Sequence, residues 1–333
     1  MKILTDKYGR VHDYLRISLT DRCNLNCIYC NPVYAKAKFI EKEDILSYEN
    51  ILRIIKIFAG ELGFKKFRFT GGEPLVRKGV VEFFCLLSNL KRQYKFKTAI
   101  TTNGTLLFEM LPELKKYGVD NINISLDSLK HESFKAITGK NNFNDVIDAI
   151  YKAKQIGFEG LKINCVVMKG VNDSEILDFV RFAIMEDINI RFIEYMPFSN
   201  NGWNNNEFIS YKEIRNIILE NYELIDSDSN GSVSKDYLIK HHEGKVSFIS
   251  SISDHFCNTC SRLRLTAKGN LRLCLFSTRA NELDLKSMLS NKLITDSGIS
   301  SIITDYLMLK PKEHPGIEEL VKLDLNYMLT NGG

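Results

Sequence analysis

The chain has 333 residues, 44% hydrophobic and 26% charged, with no low-complexity tract and no evident repeat, a composition that argues for a folded globular protein rather than a disordered one. Its formal net charge of +4 is the small difference between 45 basic and 41 acidic residues, too weak to imply a nucleic-acid or membrane surface, so any anion site must be local. The first nine residues carry charge where a signal peptide needs apolar ones, and no run reaches the roughly 18 apolar residues of a membrane span; the expectation is a cytoplasmic protein whose eight cysteines are metal ligands or buried thiols rather than disulfides.

Taken in chain order, short alternating runs predict strands at 14–20, 66–70, 96–102, 121–127, 161–168 and 189–196. Between them, apolar residues at helical spacing predict helices, for example at 48–62, 80–93, 144–156 and 174–185. Strand and helix alternate six times. Crossovers of this kind give an α/β fold with a parallel sheet, either open or curled into an incomplete barrel of six units. Within 121–127 the apolar side chains take one face, while Asn121, Asn123, Ser125 and Asp127 take the other. Arg16, Ser18 and Thr20 share a face in the same way, as do Lys66, Arg68 and Thr70. A solvated antiparallel sheet alternates likewise, but with helices between the strands the polar face is expected to line a lumen. Polar motifs gather at 70–74, 101–104 and 125–127, the strand ends where such folds bind ligands.

After about residue 205 the pattern changes, so the chain divides into 1–205 and 206–333. A helix is expected at 211–221, a loop by composition at 226–234 and a hairpin from 237–242 and 245–250. A second hairpin pairs 262–266 with 271–275, and about sixty loosely helical residues follow.

Six cysteines form two groups of three, Cys23, Cys27, Cys30 and Cys257, Cys260, Cys274; Cys85 and Cys165 stand alone in apolar stretches and read as core. Thiolates favour zinc, copper(I) and iron–sulfur clusters. A structural zinc site takes four ligands, and one could be drawn from Cys27, Cys30, Cys257 and Cys260, leaving Cys23 and Cys274 unused. A [4Fe-4S] cube held by three cysteines instead keeps one iron open to a substrate or cofactor.

The spacing Cys23-x3-Cys27-x2-Cys30 after the first strand, with Tyr29 before the third cysteine and Gly71-Gly72-Glu73-Pro74 after the second strand, resembles the radical S-adenosylmethionine superfamily. The segments 16–23, 69–77, 101–104, 123–127, 191–196 and 257–264, the spacing Cys257-x2-Cys260-x13-Cys274 and the terminal Gly332-Gly333 resemble, within it, the GTP 3′,8-cyclase family of molybdenum cofactor biosynthesis. The resemblance covers the whole chain. It implies an incomplete six-unit TIM-like barrel with a C-terminal α+β extension that carries a second iron–sulfur cluster.

It also implies a lyase. S-adenosylmethionine is cleaved reductively to a 5′-deoxyadenosyl radical, which takes the 3′ hydrogen of GTP. The ribose then closes on C8, giving (8S)-3′,8-cyclo-7,8-dihydroguanosine 5′-triphosphate. Two [4Fe-4S] clusters are implied, one on Cys23, Cys27 and Cys30, the other on Cys257, Cys260 and Cys274 with its open iron toward guanine. Tyr29, Gly72, Ser125 and Met196 match S-adenosylmethionine positions. Arg16, Arg68, Thr101, Lys162, Arg191, Arg262 and Arg264 match GTP positions, and guanidinium forks suit a triphosphate. Independently of the match, Arg16, Arg68 and Lys162 fall in predicted strands, on the faces read as polar, and Arg262 and Arg264, two apart, point the same way. Gly332 and Gly333 match a catalytic tail that enters the active site.

The implied partners are an electron donor of the flavodoxin or ferredoxin type and the next pathway enzyme, cyclic pyranopterin monophosphate synthase, with no nucleic acid and no membrane; family members are often dimers. One departure stands at Asn31-Pro32, where the family commonly has methionine before proline. Two alternatives stay open: a peptide-modifying radical S-adenosylmethionine enzyme with an auxiliary cluster, a class that usually carries more C-terminal cysteines, and a zinc-binding module.

Overall fold

The computed structural model describes residues 3–30, 39–158, 160–198, 201–227, 233–323, 325 and 329, apart from the side chain of residue 279. Asn31, Pro32, Gly332 and Gly333 therefore lie outside the described residues.

Strands β1 (Tyr14–Ser18), β2 (Lys66–Thr70), β3 (Lys97–Thr102), β4 (Asn121–Ser125), β5 (Lys162–Val167) and β6 (Asn189–Glu194) alternate with helices. The helices are α1 (Tyr48–Gly60), α2 (Val80–Tyr94), α3 (Leu107–Lys116), α4 (His131–Thr138), α5 (Phe143–Gln155) and α6 (Ile176–Glu186). The six strands are neighbours in chain order and every pair is parallel. Helices α3 and α4 escape the periodicity reading because they are short, at 10 and 8 residues, and α3 contains Pro112.

Beyond residue 205 come α7 (Tyr211–Leu219), β7 (Leu224–Ser227), β8 (Lys235–Ile239), β9 (Lys245–Ile249), β10 (Arg262–Leu265), β11 (Asn270–Arg272) and β12 (Leu283–Asp284). Three further helices follow, α8 (Leu285–Ser290), α9 (Asp296–Leu307) and α10 (Ile317–Leu320). These later strands extend the same sheet at both edges: β10 runs parallel to β1 and β9 parallel to β6. The described strands have the order β12-β11-β10-β1-β2-β3-β4-β5-β6-β9-β8-β7, so the sheet is open. Asp226 and Ser227, expected in a loop, instead end β7, where they pair with Tyr237 and Asp236. Polar residues are tolerated there because an edge strand faces solvent. Among the described residues no helix is long and apolar enough to cross a membrane.

One face of the sheet is apolar. Leu15, Ile17, Phe67 and Phe69 pack against Ile54, Ile55 and Phe58 of α1 and Phe83 and Phe84 of α2. The Phe69 ring lies edge-on to Phe83 and Phe84, with centroids 5.3 and 5.2 Å away. Cys165 is buried in β5, but Cys85 is exposed, against expectation: Phe83, Phe84 and Leu87 take the inward side of α2 and turn Cys85 outward.

The other face is polar and turned inward. Side chains from β10, β1, β2, β4, β5 and β6 line one cavity of about 430 Å³. On a flat sheet β10 and β6 would stand roughly 29 Å apart, six strand spacings. The sheet therefore curls around the cavity.

At the C-terminal ends of β1 and β2 two loops press together. A Cβ on Gly71, whose φ is +150°, would lie 2.3 Å from the Thr20 carbonyl oxygen, and one on Gly72 would lie 2.4 Å from that of Arg22. The Gly72 and Glu73 amides donate to those same two carbonyls, each at 2.8 Å. The obstacle is backbone, which no side-chain rotation relieves. Gly72→Ala is expected to cost about 1–3 kcal/mol, read as a lower denaturant midpoint. A midpoint equal to that of the unsubstituted protein would show that the loops can separate.

Candidate active site

The loop after β1 carries the first cysteine group. Cys23 Sγ accepts from the Leu25 amide at 3.4 Å and from Asn103 Nδ2 at 3.7 Å. Cys27 and Cys30 pack beside Tyr29, Ile137, Met168 and Tyr195. Loops from neighbouring strands are tied to this one. Buried Glu73 accepts from Thr102 Oγ1 at 2.7 Å and from the amides of Asn103 and Leu75 at 2.6 and 3.0 Å. The Tyr29 hydroxyl donates to Asp127 Oδ2 at 2.7 Å, while Asp127 Oδ1 accepts from the Val166 amide at 2.8 Å. Burial pushes Glu73 up to about 7 and Asp127 up to about 6, against the hydrogen bonds that favour their anions. The thiols move the same way. Burial, then the charges of Cys23 and Asp127, raise Cys30 to about 12; burial chiefly raises Cys23 to about 11, and Cys27 rises well above the usual range. Three mutually repelling soft donors suit a group that brings its own positive charge, as an iron–sulfur core does.

The second group is assembled by a hairpin. Cys257 and Cys260 precede β10, and β11 returns antiparallel with Arg264 opposite Arg272. That register carries Cys274 back to the level of Arg262, beside Cys260. All three cysteines line the cavity. Burial and the neighbouring Cys274 raise the Cys257 thiol, whereas Arg262 and Lys310 overcome burial and lower Cys260.

Because β10 runs parallel to β1, with Arg262 opposite Tyr14, the second group sits where strands begin and the first sits past where they end. Cys27, Cys30, Cys257 and Cys260 therefore cannot converge on one zinc ion. Among the described residues no three His, Cys, Asp or Glu side chains converge on a single-ion site. A cube does not need them to, since each thiolate binds its own iron.

Between the two groups lies a row of cations. Arg16 has Arg264 as its register partner on β10 and Arg68 on β2, and Tyr14 stands between Arg262 and Lys66 in the same way. Lys162 and Arg191 join them; among the described residues lining the cavity these seven cations meet one carboxylate, Asp13. Arg68 donates to the Tyr14 hydroxyl at 2.7 Å, the Ile100 carbonyl at 3.0 Å and Thr101 Oγ1 at 3.1 Å. Burial alone would raise the Tyr14 phenol, but Arg68, Arg16, Lys66 and Arg262 together hold it down at about 7. Burial and Arg191 lower Lys162 to about 8. Arg191 Nε, Asn123 Oδ1 and Asn164 Oδ1 are buried without a hydrogen-bond partner. Such an arrangement calls for a polyanion with further polar atoms. Near Cys257 the wall turns aromatic, with the His314 ring 4.8 Å from Phe276 and 5.1 Å from His255.

Of the residues singled out in the sequence, Arg16, Arg68, Lys162, Arg191, Arg262, Arg264, Met196, Cys257, Cys260 and Cys274 line this one cavity. Thr101 is reached through Arg68. Tyr29, Gly72 and Ser125 stand outside that lining, toward the C-terminal strand ends with Cys23, Cys27 and Cys30. Tyr14, Lys66, Asn123 and Asn164 were not proposed as site residues, although each lies two positions from one on its own strand or across from one. His314 and Lys310 carry no signal in the sequence.

A profile described as the Radical SAM superfamily matches residues 17–183, and one described as Molybdenum Cofactor Synthesis C matches 188–315. Over 93% of its length the chain is 42% identical to molybdenum cofactor biosynthesis protein 1 of Drosophila melanogaster, covering 54% of that protein. It spans about half the length of such relatives, covering 51% of the one from Bos taurus. Over 99% of its length it is 41% identical to GTP 3′,8-cyclase of Thermodesulfovibrio yellowstonii, covering 100% of it. Among solved structures, Streptococcus suis SuiB bound to S-adenosylmethionine has a TM-score of 0.62 at 14% identity, over 86% of this chain and 66% of that one, a likeness of fold alone. With both profiles and these identities over nearly its whole length, the chain belongs to the Radical SAM superfamily and, within it, to the GTP 3′,8-cyclase family of molybdenum cofactor biosynthesis.

Proposed function

We propose that the protein is a GTP 3′,8-cyclase, a lyase that converts GTP to (8S)-3′,8-cyclo-7,8-dihydroguanosine 5′-triphosphate in the first step of molybdenum cofactor biosynthesis. The observation that carries this reading is the cavity in which, among the described residues, seven cations face one carboxylate and the thiols of Cys257, Cys260 and Cys274, with Cys23, Cys27 and Cys30 past the strand ends. Cys23, Cys27 and Cys30 would hold one [4Fe-4S] cluster and Cys257, Cys260 and Cys274 the other. When bound, the first supplies one electron for cleavage of S-adenosylmethionine, which provides the radical that takes the ribose hydrogen, and the second offers an open iron to guanine.

The chain's own residues do the rest. Arg16, Arg68, Lys162, Arg191, Arg262 and Arg264 bind the triphosphate, with Thr101 held in place by Arg68. Tyr29, Gly72, Ser125 and Met196 surround S-adenosylmethionine. The Tyr29 hydroxyl is already committed to Asp127, so its part is to pack and to fix the loop. Gly72 admits the close backbone approach that brings the two loops together. Ile193, Ile249, Leu273 and Phe276 on the cavity wall exclude water from a reactive species. Gly332 and Gly333 form the catalytic tail.

We read residues 1–205 as the radical S-adenosylmethionine unit, an incomplete six-unit barrel, and 206–333 as the extension with the second cluster. The reading includes a cytoplasmic enzyme, a flavodoxin- or ferredoxin-type donor, transfer of the product to cyclic pyranopterin monophosphate synthase, and a dimer.

Three outcomes are expected. Anaerobically reconstituted protein given reductant, S-adenosylmethionine and GTP should form 5′-deoxyadenosine and the cyclised nucleotide, both dependent on GTP, as followed by mass spectrometry. Deoxyadenosine without a GTP product would overturn the cyclase reading. Replacing Arg262 and Arg264 together with Ala removes at least two charge-assisted contacts, so the Kd for GTP should rise about 100-fold or more while that for S-adenosylmethionine stays within about twofold; equal loss of both ligands would count against the assignment. Thirdly, the Tyr14 phenol, held at about 7 against about 10 in an unfolded chain, lends the empty fold stability that is full above about pH 10 and lost as pH falls through 7. Ultraviolet titration should reveal one tyrosine ionising near neutrality, absent in Tyr14→Phe and displaced upward by GTP, which takes the cations for itself.

A further inference from the structure

Two buried cations grip the second cysteine group from behind. Lys310, 3% exposed, lies just past α9 and sends Nζ to the Arg262 carbonyl at 3.2 Å and to the Leu273 carbonyl. Arg262 is two residues beyond Cys260, and Leu273 immediately precedes Cys274. Arg10 donates Nη1 to the Cys257 carbonyl at 2.8 Å and to the Lys312 carbonyl at 2.7 Å, and Nη2 to the Pro311 carbonyl at 2.7 Å. Cys257 thus has its own carbonyl held by a cation, while Cys274 and Cys260 have a carbonyl held one and two residues away.

The two cations differ in their counter-charge. Arg10 Nε pairs with Asp6 Oδ2 at 2.6 Å. Burial, with Arg10 and Arg262, lowers the Lys310 ammonium, and the groups that favour its charge are the thiols of Cys260 and Cys274. A buried ammonium beside thiols is costly while the thiols are protonated. An anionic group held by those thiolates relieves it.

We propose that Lys310 is a positioning residue and the charge partner of the second cluster: its hydrogen bonds fix the seats of Cys260 and Cys274, and its ammonium stabilises the negative charge that the cluster gains when an external one-electron donor reduces it. The inference rests on reading Cys257, Cys260 and Cys274 as cluster ligands. Hydrogen bonds and fixed charge near a cluster set its potential. A cation at this place favours the reduced, more negative form.

The test is a mediated redox titration of the reconstituted full chain, followed by electron paramagnetic resonance, on the unsubstituted protein and on Lys310→Met, Lys310→Gln and Lys310→Arg. The first cluster's signal is recognised as the one lost when Cys23, Cys27 and Cys30 are all replaced by Ala. In Lys310→Gln, which keeps a donor for the carbonyls but no charge, the reduction equilibrium of the second cluster should move against reduction at least tenfold, about 59 mV for one electron. Lys310→Met should do the same or also lose second-cluster iron. Lys310→Arg should restore both, and the first cluster's potential should stay put throughout. An unshifted second-cluster potential in Lys310→Gln overturns the inference. Iron content tests the underlying reading separately: replacing Cys257, Cys260 and Cys274 together with Ala should remove about four of about eight irons per chain, and full retention would overturn the ligand assignment itself.

Discussion

Arg264, Arg16 and Arg68 stand abreast on adjacent parallel strands, in register and facing the same cavity. Like charges at such spacing repel by a few kcal/mol even at the effective dielectric of a protein surface, and burial adds to the cost. The protein answers in two ways. Inside the cavity, Tyr14 and the Ile100 carbonyl share the charge of Arg68. On the opposite face, Leu15, Ile17, Phe67 and Phe69 are fully buried, each contributing roughly 1.5–3 kcal/mol. The same short strands supply both faces, so the core holds in place a cation row that the empty fold does not favour. Tension of this sort is characteristic of sites shaped for a ligand rather than for stability.

The position of that row depends on one pairing that joins distant parts of the chain. Strand β10 docks parallel to β1 although more than two hundred residues separate them. Being parallel, the pair puts the end of β1, and with it Cys23, opposite to the start of β10 and Cys260. Had β10 run the other way, both cysteine groups would share one end of the sheet and the cations would flank them instead of separating them. Thus the direction of a single strand sets the order along the sheet: thiols, cations, thiols.

Much of this was legible locally. The alternation in 66–70 marks a strand that the structure reproduces end to end, and the i, i+2 rule puts Arg16, Arg68 and Lys162 on the inner face. The hairpin read around 268–270 explains how Cys274 returns to Cys260. The misreadings share a physical cause, the dominance of long-range context. Cys85 lies in an apolar stretch, but the helix phase that buries Phe83 and Phe84 turns it out. Asp226 and Ser227 have loop composition, yet an antiparallel partner recruits them into an edge strand. Lys310 belongs to no motif, and its meaning comes only from carbonyls contributed by Arg262 and Leu273. Lys66 was read on the polar face with Arg68, whereas Tyr14, two positions before Arg16, was not, since nothing local distinguishes a cavity phenol from a surface one.

The two cysteine groups are alike in number and residue type but not in electrostatic setting. Around the first, Asp127 and the other thiols add negative charge to apolar burial, and all three thiols are pushed up. Around the second, Arg262 and Lys310 outweigh burial and pull the Cys260 thiol down. Bringing one more electron to a group held by the first triad adds negative charge where the surroundings already resist it. A group held by the second triad would receive that electron beside Arg262 and Lys310. The strand directions that separate the triads therefore also set their surroundings apart: Arg262 and Lys310 stand by Cys260 in the second, whereas buried Glu73 and Asp127 stand by the first.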